Sequence, residues 1–191
     1  MDYLFHNLDL RNLGILLMFV TGIRVGELVG LKHEDFDGNT IKIRRTATRY
    51  YDKTVQKYIY DIKDFPKTDA GVRSVLVPPD YAWLMQKIRL QNPFSDYIFT
   101  ENGKQFTTNV FRTRLRSICK KLNIAHKSPH KIRKTYGTIL LDNNIDEKFI
   151  TGQMGHTNIL CTEQHYHRNR KTVDKKLELL GTIPEFQKSI K

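Results

Sequence analysis

Hydrophobic spacing changes twice along this chain. Leu13, Leu16, Leu17 and Val20 recur at i, i+3, i+4 and i+7, the apolar stripe of a helix. Between Thr40 and Val77 the period drops to two. Ile41 and Ile43 share one face, then Tyr58, Tyr60 and Ile62, then Arg73, Val75 and Val77. Alternation of β-branched and aromatic residues reads as strands. Beyond Pro79 the helical period returns, in Phe111, Leu115, Ile118 and Leu122, then in Ile132, Tyr136, Ile139 and Leu140, and finally in Val173, Leu177 and Leu180. A chain that leaves the helical period once and returns to it is neither an alternating βα protein nor an all-β sandwich. The expected class is α+β, mainly α: a helical bundle with one small three-stranded antiparallel sheet.

Punctuation refines this reading. Gly22 stops the first helix, and a second short helix carries Gly26 to Leu31. Pro79 opens a helix that runs to about Gln91, Pro129 opens another, and Asp146 caps a short one holding Phe149 and Ile150. The stretch FPKTDAG ends in turn chemistry, so Lys67 is expected at or near the tip of a β-hairpin. The 191 residues contain no repeat and no Pro/Gly/Ser-rich linker. One domain over 1–191 is expected, with 169–191 as a C-terminal tail helix.

Charge narrows the partners. The sequence holds 32 Lys+Arg against 20 Asp+Glu, a formal net charge of +12. Such a surplus attracts a polyanion. The longest apolar run, Leu13 to Val20, falls far short of the ~20 residues that span a bilayer. No secretory signature opens the chain, and Cys119 and Cys161 lack metal-ligand spacing. Reduced thiols and a cytoplasmic location are expected. Arg44, Arg45, Arg49, Lys53 and Lys57 lie in or beside the strand region, and Arg112, Arg114, Arg116, Lys120 and Lys121 lie on one helix. These are expected to meet phosphates, giving affinity without sequence choice.

Four short stretches carry candidate chemistry. His130 and Arg133 stand three apart, on a different face from the Ile132–Tyr136 stripe, and would present two donors to one phosphate. An isolated pair of this kind is ordinarily a solvated basic face. Arg24 follows a buried helix in TGIRVGEL, with Glu27 three residues on to orient it; alone, this spacing reads first as a structural ion pair. His156 follows Gly155, and Tyr166 is flanked by His165 and His167. Alone, His156 reads as a capping or packing residue and Tyr166 as a tyrosine at a core edge. A lysine such as Lys67 is ordinarily just solvated.

Order and spacing decide among these readings. TGIRVGELVGLKHEDFD, PKTDAGVRSVLVP, SPHKIRKTYGTILL and MGHTNILCTEQHY follow one another from about Leu8 to Arg168. This succession resembles the tyrosine recombinase (phage integrase) family, whose pattern is Arg, a hairpin Lys, H-x-x-R, G-H and Tyr. The resemblance implies a breaking and rejoining of DNA. With no cluster of carboxylates at metal-binding spacing, the two arginines, Arg24 and Arg133, are the expected charge source, and the reaction is expected to be metal-independent, with no cofactor. Arg24 and Arg133 would clamp the scissile phosphate, and His130 and His156 would hydrogen-bond it or hold the nucleophile. Lys67 would protonate the leaving 5′ oxygen, Glu27 would brace Arg24, and Tyr166 would form a 3′-phosphotyrosine. Where the family usually has H-x-x-R-H, this chain has HKIRK. Lys134 is therefore expected on the DNA backbone and not in the chemistry.

The residue types suit that reaction. Phosphoryl transfer places extra charge on the phosphate oxygens, and fixed cations stabilise it. A tyrosine with an ordinary pKa of about 10 must lose its proton as it attacks. A lysine can act as the acid if neighbouring arginines lower its pKa. A covalent link conserves the phosphodiester, so no ATP is needed and no P-loop is present.

The resemblance also implies a core-binding domain, and often an arm-binding domain, ahead of this segment, so Met1 is expected to begin a truncated piece. It implies four protomers on a recombination site, docked through their tails, with accessory DNA-bending or excision factors. A phage or conjugative transposon is the expected setting. Two rivals remain at this level: a type IB topoisomerase-like activity, and a non-catalytic DNA-binding protein with an integrase-like fold.

Overall fold

The computed structural model describes residues 1–64 and 72–155. Helix α1 (Asp2–Phe5) leads into α2 (Leu10–Thr21), the centre of the molecule. Asp9 caps α2, its carboxylate accepting the Asn12 backbone N–H at 2.8 Å. Leu13, Ile15, Leu16, Leu17 and Met18 are all fully buried. A helix that is apolar on every side must be enclosed. Around α2 pack α1, α4 (Ala82–Arg89), α5 (Thr108–Lys121) and α6 (Pro129–Asp142).

Gly22 ends α2 in the left-handed region, at φ 66°. A Cβ there would lie 2.2 Å from Tyr136 Cδ1 on α6. Both the backbone and the neighbour therefore demand glycine. The short helix α3 (Val25–Val29) follows at once, so Arg24 stands at the bend between two buried helices.

The expected α+β class holds, but the strands pair differently from the sequence reading. The three-stranded antiparallel sheet has the order β1 (Phe36–Asp37), β2 (Thr40–Ile43), β5 (Arg73–Leu76). KYIYDI lies in β4 (Lys57–Asp64), which pairs in a separate ribbon with β3 (Arg45–Asp52). RTATRYYD offers no apolar alternation, which is why the sequence did not mark it as a strand.

The register also corrects the expected hairpin around Lys67. Partners of segment 40–52 descend from Thr40↔Leu76 to Ile43↔Arg73, then from Arg45↔Asp64 to Asp52↔Lys57. The strands on either side of 65–71 thus pair with β2 and β3, not with each other. The tight turn lies at 53–56 instead, where the Asp52 carboxylate accepts the Thr54 N–H at 2.8 Å. Residues 65–71 themselves lie outside the described residues.

After a single 3₁₀ turn at Pro79–Tyr81, α4 and a small ribbon, β6 (Thr100–Glu101) with β7 (Lys104–Gln105), lead to α5. Pro129 occupies the first turn of α6, and Ser128 accepts the Lys131 N–H at 3.3 Å. Asp146 caps α7 (Glu147–Met154), accepting the Phe149 N–H at 2.9 Å. Leu122 and Ile139 depart from their expected stripes and are exposed. Cys119 is a buried free thiol. Cys161 and the expected helix through Val173 and Leu180 lie outside the described residues. Among the described residues, no helix is long and apolar enough to cross a membrane.

Candidate active site

The C-terminal end of α7 gathers the arginines. Like any helix end, it leaves its last carbonyls without intrahelical partners. Arg73 Nε donates to Gln153 O at 3.2 Å, Arg133 Nη2 donates to Met154 O, and Arg24 Nη2 donates to Gly155 O at 3.0 Å. Three guanidiniums from β5, α6 and the α2–α3 bend thus take three successive carbonyls. The carbonyls carry the negative end of the helix dipole, which favours cations there. Gly155 closes the helix at φ 61°, with Arg73 Nη1 2.8 Å from where a Cβ would stand. The next residue in sequence is His156.

Arg133 is almost wholly buried, at 4% exposure. Its Nη1 donates to Gly22 O at 2.7 Å, the carbonyl at the bend that launches Arg24. The two arginines expected on one phosphate are therefore tied to the same two pieces of backbone, 22–24 and 154–155. Arg24 is the more open of the pair, with 45% of its side chain exposed. His130 sits one turn before Arg133 on α6 and is exposed, and Lys134 beside it is half-buried.

Glu27 does brace Arg24, as its spacing implied. Its Oε2 accepts the Arg24 backbone N–H at 2.8 Å, and its Oε1 accepts Arg24 Nη1 at 2.8 Å. Arg73 meets the same carboxylate, Nη1 to Oε1 at 2.9 Å and Nη2 to Oε2 at 2.8 Å. Burial of Glu27 alone would raise its pKa. Hydrogen bonding and charge from Arg73, then from Arg24, outweigh burial and hold the carboxyl at about 2.

Arg73 is the residue that sequence reasoning passed over. The alternation RSVLV had placed it on the face of Val75 and Val77, which are buried. A buried arginine needs a carboxylate, and that requirement was the available signal.

The basic surface also needs a correction. Arg45, expected on DNA, is 8% exposed and faces inward. Its guanidinium binds Asp35 at 2.7 Å, Asp64 at 3.2 Å and Glu34. Burial and three carboxylates make it structural. Arg44 is half-buried beside Glu34 and Asp35, at 3.5 and 3.7 Å. Arg49 is exposed on the β3–β4 ribbon, 3.8 Å above the Tyr58 ring. On α5, Arg114 turns to Asn12 at 2.8 Å and to Asp9. Lys67, His156 and Tyr166 lie outside the described residues.

This fold is that of tyrosine recombinase catalytic domains. A structure of the Tn1549 transposon integrase with transposon right end DNA matches it at TM-score 0.72 and 24% identity, covering 90% of this chain and 58% of that one. XerA recombinase matches at 0.67 and 24%, over 90% and 57%. The phage integrase family profile matches residues 5–172, and the chain belongs to that family. The integrase of Staphylococcus phage L54a is 30% identical over 173 residues, covering 83% of this chain and 48% of that protein. A XerC-like tyrosine recombinase of Caldanaerobacter subterraneus subsp. tengcongensis is 28% identical over 171 residues, covering 79% and 44%. The chain spans about half the length of the curated relatives it matches.

Proposed function

We propose that this chain is the catalytic part of a site-specific DNA recombinase that cuts and rejoins DNA strands through a 3′-phosphotyrosine. The observation that supports this most is the convergence of Arg24 and Arg133 on the end of α7, in a family member whose next residue is His156. In this reading the two guanidiniums hold the non-bridging oxygens of the scissile phosphate, and His130 and His156 add hydrogen bonds. Tyr166 Oη attacks phosphorus and loses its proton. The P–O5′ bond breaks, and Lys67 gives a proton to the departing 5′ oxygen. The 3′-phosphotyrosine keeps the phosphodiester, so attack by another 5′ hydroxyl reseals the strand. Arg44, Arg49 and Lys134 meet the DNA backbone. Four protomers assemble on the recombination site of a mobile element, with accessory factors.

A duplex nicked next to the scissile phosphate tests this, because the short 5′ fragment diffuses away and traps the covalent form. The expected result is a denaturant-resistant protein–DNA adduct, formed equally in EDTA and absent in Tyr166→Phe. An adduct that persists in Tyr166→Phe refutes the assignment. Relaxation of plasmid lacking any specific site would favour the topoisomerase-like alternative.

A further inference from the structure

Glu27 presents a difficulty for its own assigned role. A carboxylate that braces Arg24 also cancels its charge, and a neutral pair has little attraction for a phosphate. The geometry resolves this through Arg73. Glu27 is 1% exposed and the Arg73 side chain 8%, while Arg24 is 45% exposed. The fork of Arg73 meets both carboxylate oxygens, the two-point arrangement that binds a carboxylate most strongly. Arg24 offers Glu27 only Nη1 from its guanidinium and turns Nη2 to Gly155 O. One negative and two positive charges leave a surplus of one, and the exposed member is Arg24.

We propose that Arg73 is a positioning residue that neutralises Glu27, so that Glu27 fixes the direction of Arg24 without consuming its attraction for phosphate. This rests on Arg24 binding phosphate, as proposed above. Without Arg73, Glu27 and Arg24 would form a closed one-to-one pair. Without both Glu27 and Arg73, Arg24 would keep its charge but lose its brace. Arg73 also binds the carbonyl of Gln153, so the same side chain joins Glu27 to the end of α7.

Charge balance around Glu27 is testable apart from folding. Four variants are compared: Arg73→Gln, Arg73→Lys, Glu27→Gln, and the double variant Glu27→Gln/Arg73→Gln. Each is measured below its own unfolding temperature. Inorganic phosphate is titrated while the Arg24 Nε–Hε signal is followed by NMR. In parallel, nicked duplexes of random sequence are screened, and those captured covalently by the wild-type chain become cleavage substrates. Arg73→Gln should weaken phosphate binding and slow cleavage roughly tenfold or more, with duplex affinity changed much less. The double variant should regain most of the phosphate affinity, because the cluster returns to its original charge, although it is less stable. Arg73→Lys should fall between wild type and Arg73→Gln.

A purely structural Arg73 gives a different order, with the double variant no better than Arg73→Gln. That result overturns the proposal, as does an Arg24 signal in the wild type that ignores phosphate. If the wild-type chain captures no duplex, the recombinase reading fails, and the phosphate titration still decides the role of Arg73.

Discussion

Gln153 and Leu76 exchange two hydrogen bonds, Leu76 N–H to Oε1 at 3.0 Å and Nε2 to Leu76 O at 2.7 Å. A helix side chain thereby completes the edge of β5 that β2 leaves open, standing in for a strand. Nε2 also reaches the Tyr136 hydroxyl at 3.1 Å, which laces α6 into the same joint. Gln153→Ala should cost about 1–3 kcal/mol in urea unfolding. The Leu76 amide should also exchange its hydrogen faster. Unchanged exchange at Leu76 would show that the joint is not what protects that edge.

Acid should weaken the protein through Glu27. Its carboxyl is held at about 2 against an ordinary 4.5. A group depressed by folding stabilises the native state above its unfolded pKa and loses that contribution as pH falls through the folded one. Melts should therefore show stability lost between about pH 5 and 2, amounting to roughly 3 kcal/mol. Glu27→Gln should flatten that limb. An identical limb in the variant would assign the titration to other carboxylates.

Gly22→Ala and Gly38→Ala form a matched pair. Both glycines have positive φ, 66° and 54°, but only Gly22 faces a neighbour, with Tyr136 Cδ1 2.2 Å from a Cβ. Gly38→Ala should cost about 1 kcal/mol for the backbone alone. Gly22→Ala should cost at least about 1–2 kcal/mol more, since a ring must shift in a packed core. Equal costs would mean that Tyr136 yields freely.

Arg45 and Arg49 should separate stability from DNA affinity. Arg45→Ala leaves Asp35 buried without its main partner and should cost about 3–5 kcal/mol of stability. Arg49→Ala should leave stability nearly unchanged. Its effect should appear in duplex binding, with the slope of log affinity against log salt reduced by about 0.9 for a lost phosphate contact. Arg45→Ala that folds normally yet loses that slope would reverse the assignment.

Arg24→Lys keeps the charge but loses the fork. Cleavage of the nicked duplex should fall about 10²–10³-fold while duplex affinity holds within a few-fold. Parallel loss of both would make Arg24 a binding residue only.

Much of this was readable from residue order. The helical stripe ending at Gly22, the Asp146 cap and the Arg24–Glu27 pair all follow from local chemistry, and the structure contains each. What escaped was of two kinds. The Arg73–Glu27 contact joins residues 46 apart on different elements, and no periodicity links them. Other signals were present but outweighed. Arg45 shares the parity of Ile41 and Ile43 and is buried with them, although an arginine is ordinarily expected at the surface. Asn102 and Gly103, with φ of 52° and 72°, form the Asn-Gly turn that joins β6 to β7, a signal that TENGKQ displays openly. Lys67, His156 and Tyr166 rest on the family pattern.

Helix α2 and the β3–β4 ribbon sit at opposite ends of a scale of mutability. One is buried along most of its length, and the carbonyl of its cap Gly22 holds Arg133. The other shows solvent-exposed tyrosines and basic residues along much of its length. Substitutions at the exposed positions of the ribbon lie away from the arginine cluster, whereas Arg45 at its inner end and the end of α2 are both built into the packed interior. A fold built this way tolerates drift along its exposed rim far better than at the buried hub, where one displaced carbonyl moves a guanidinium.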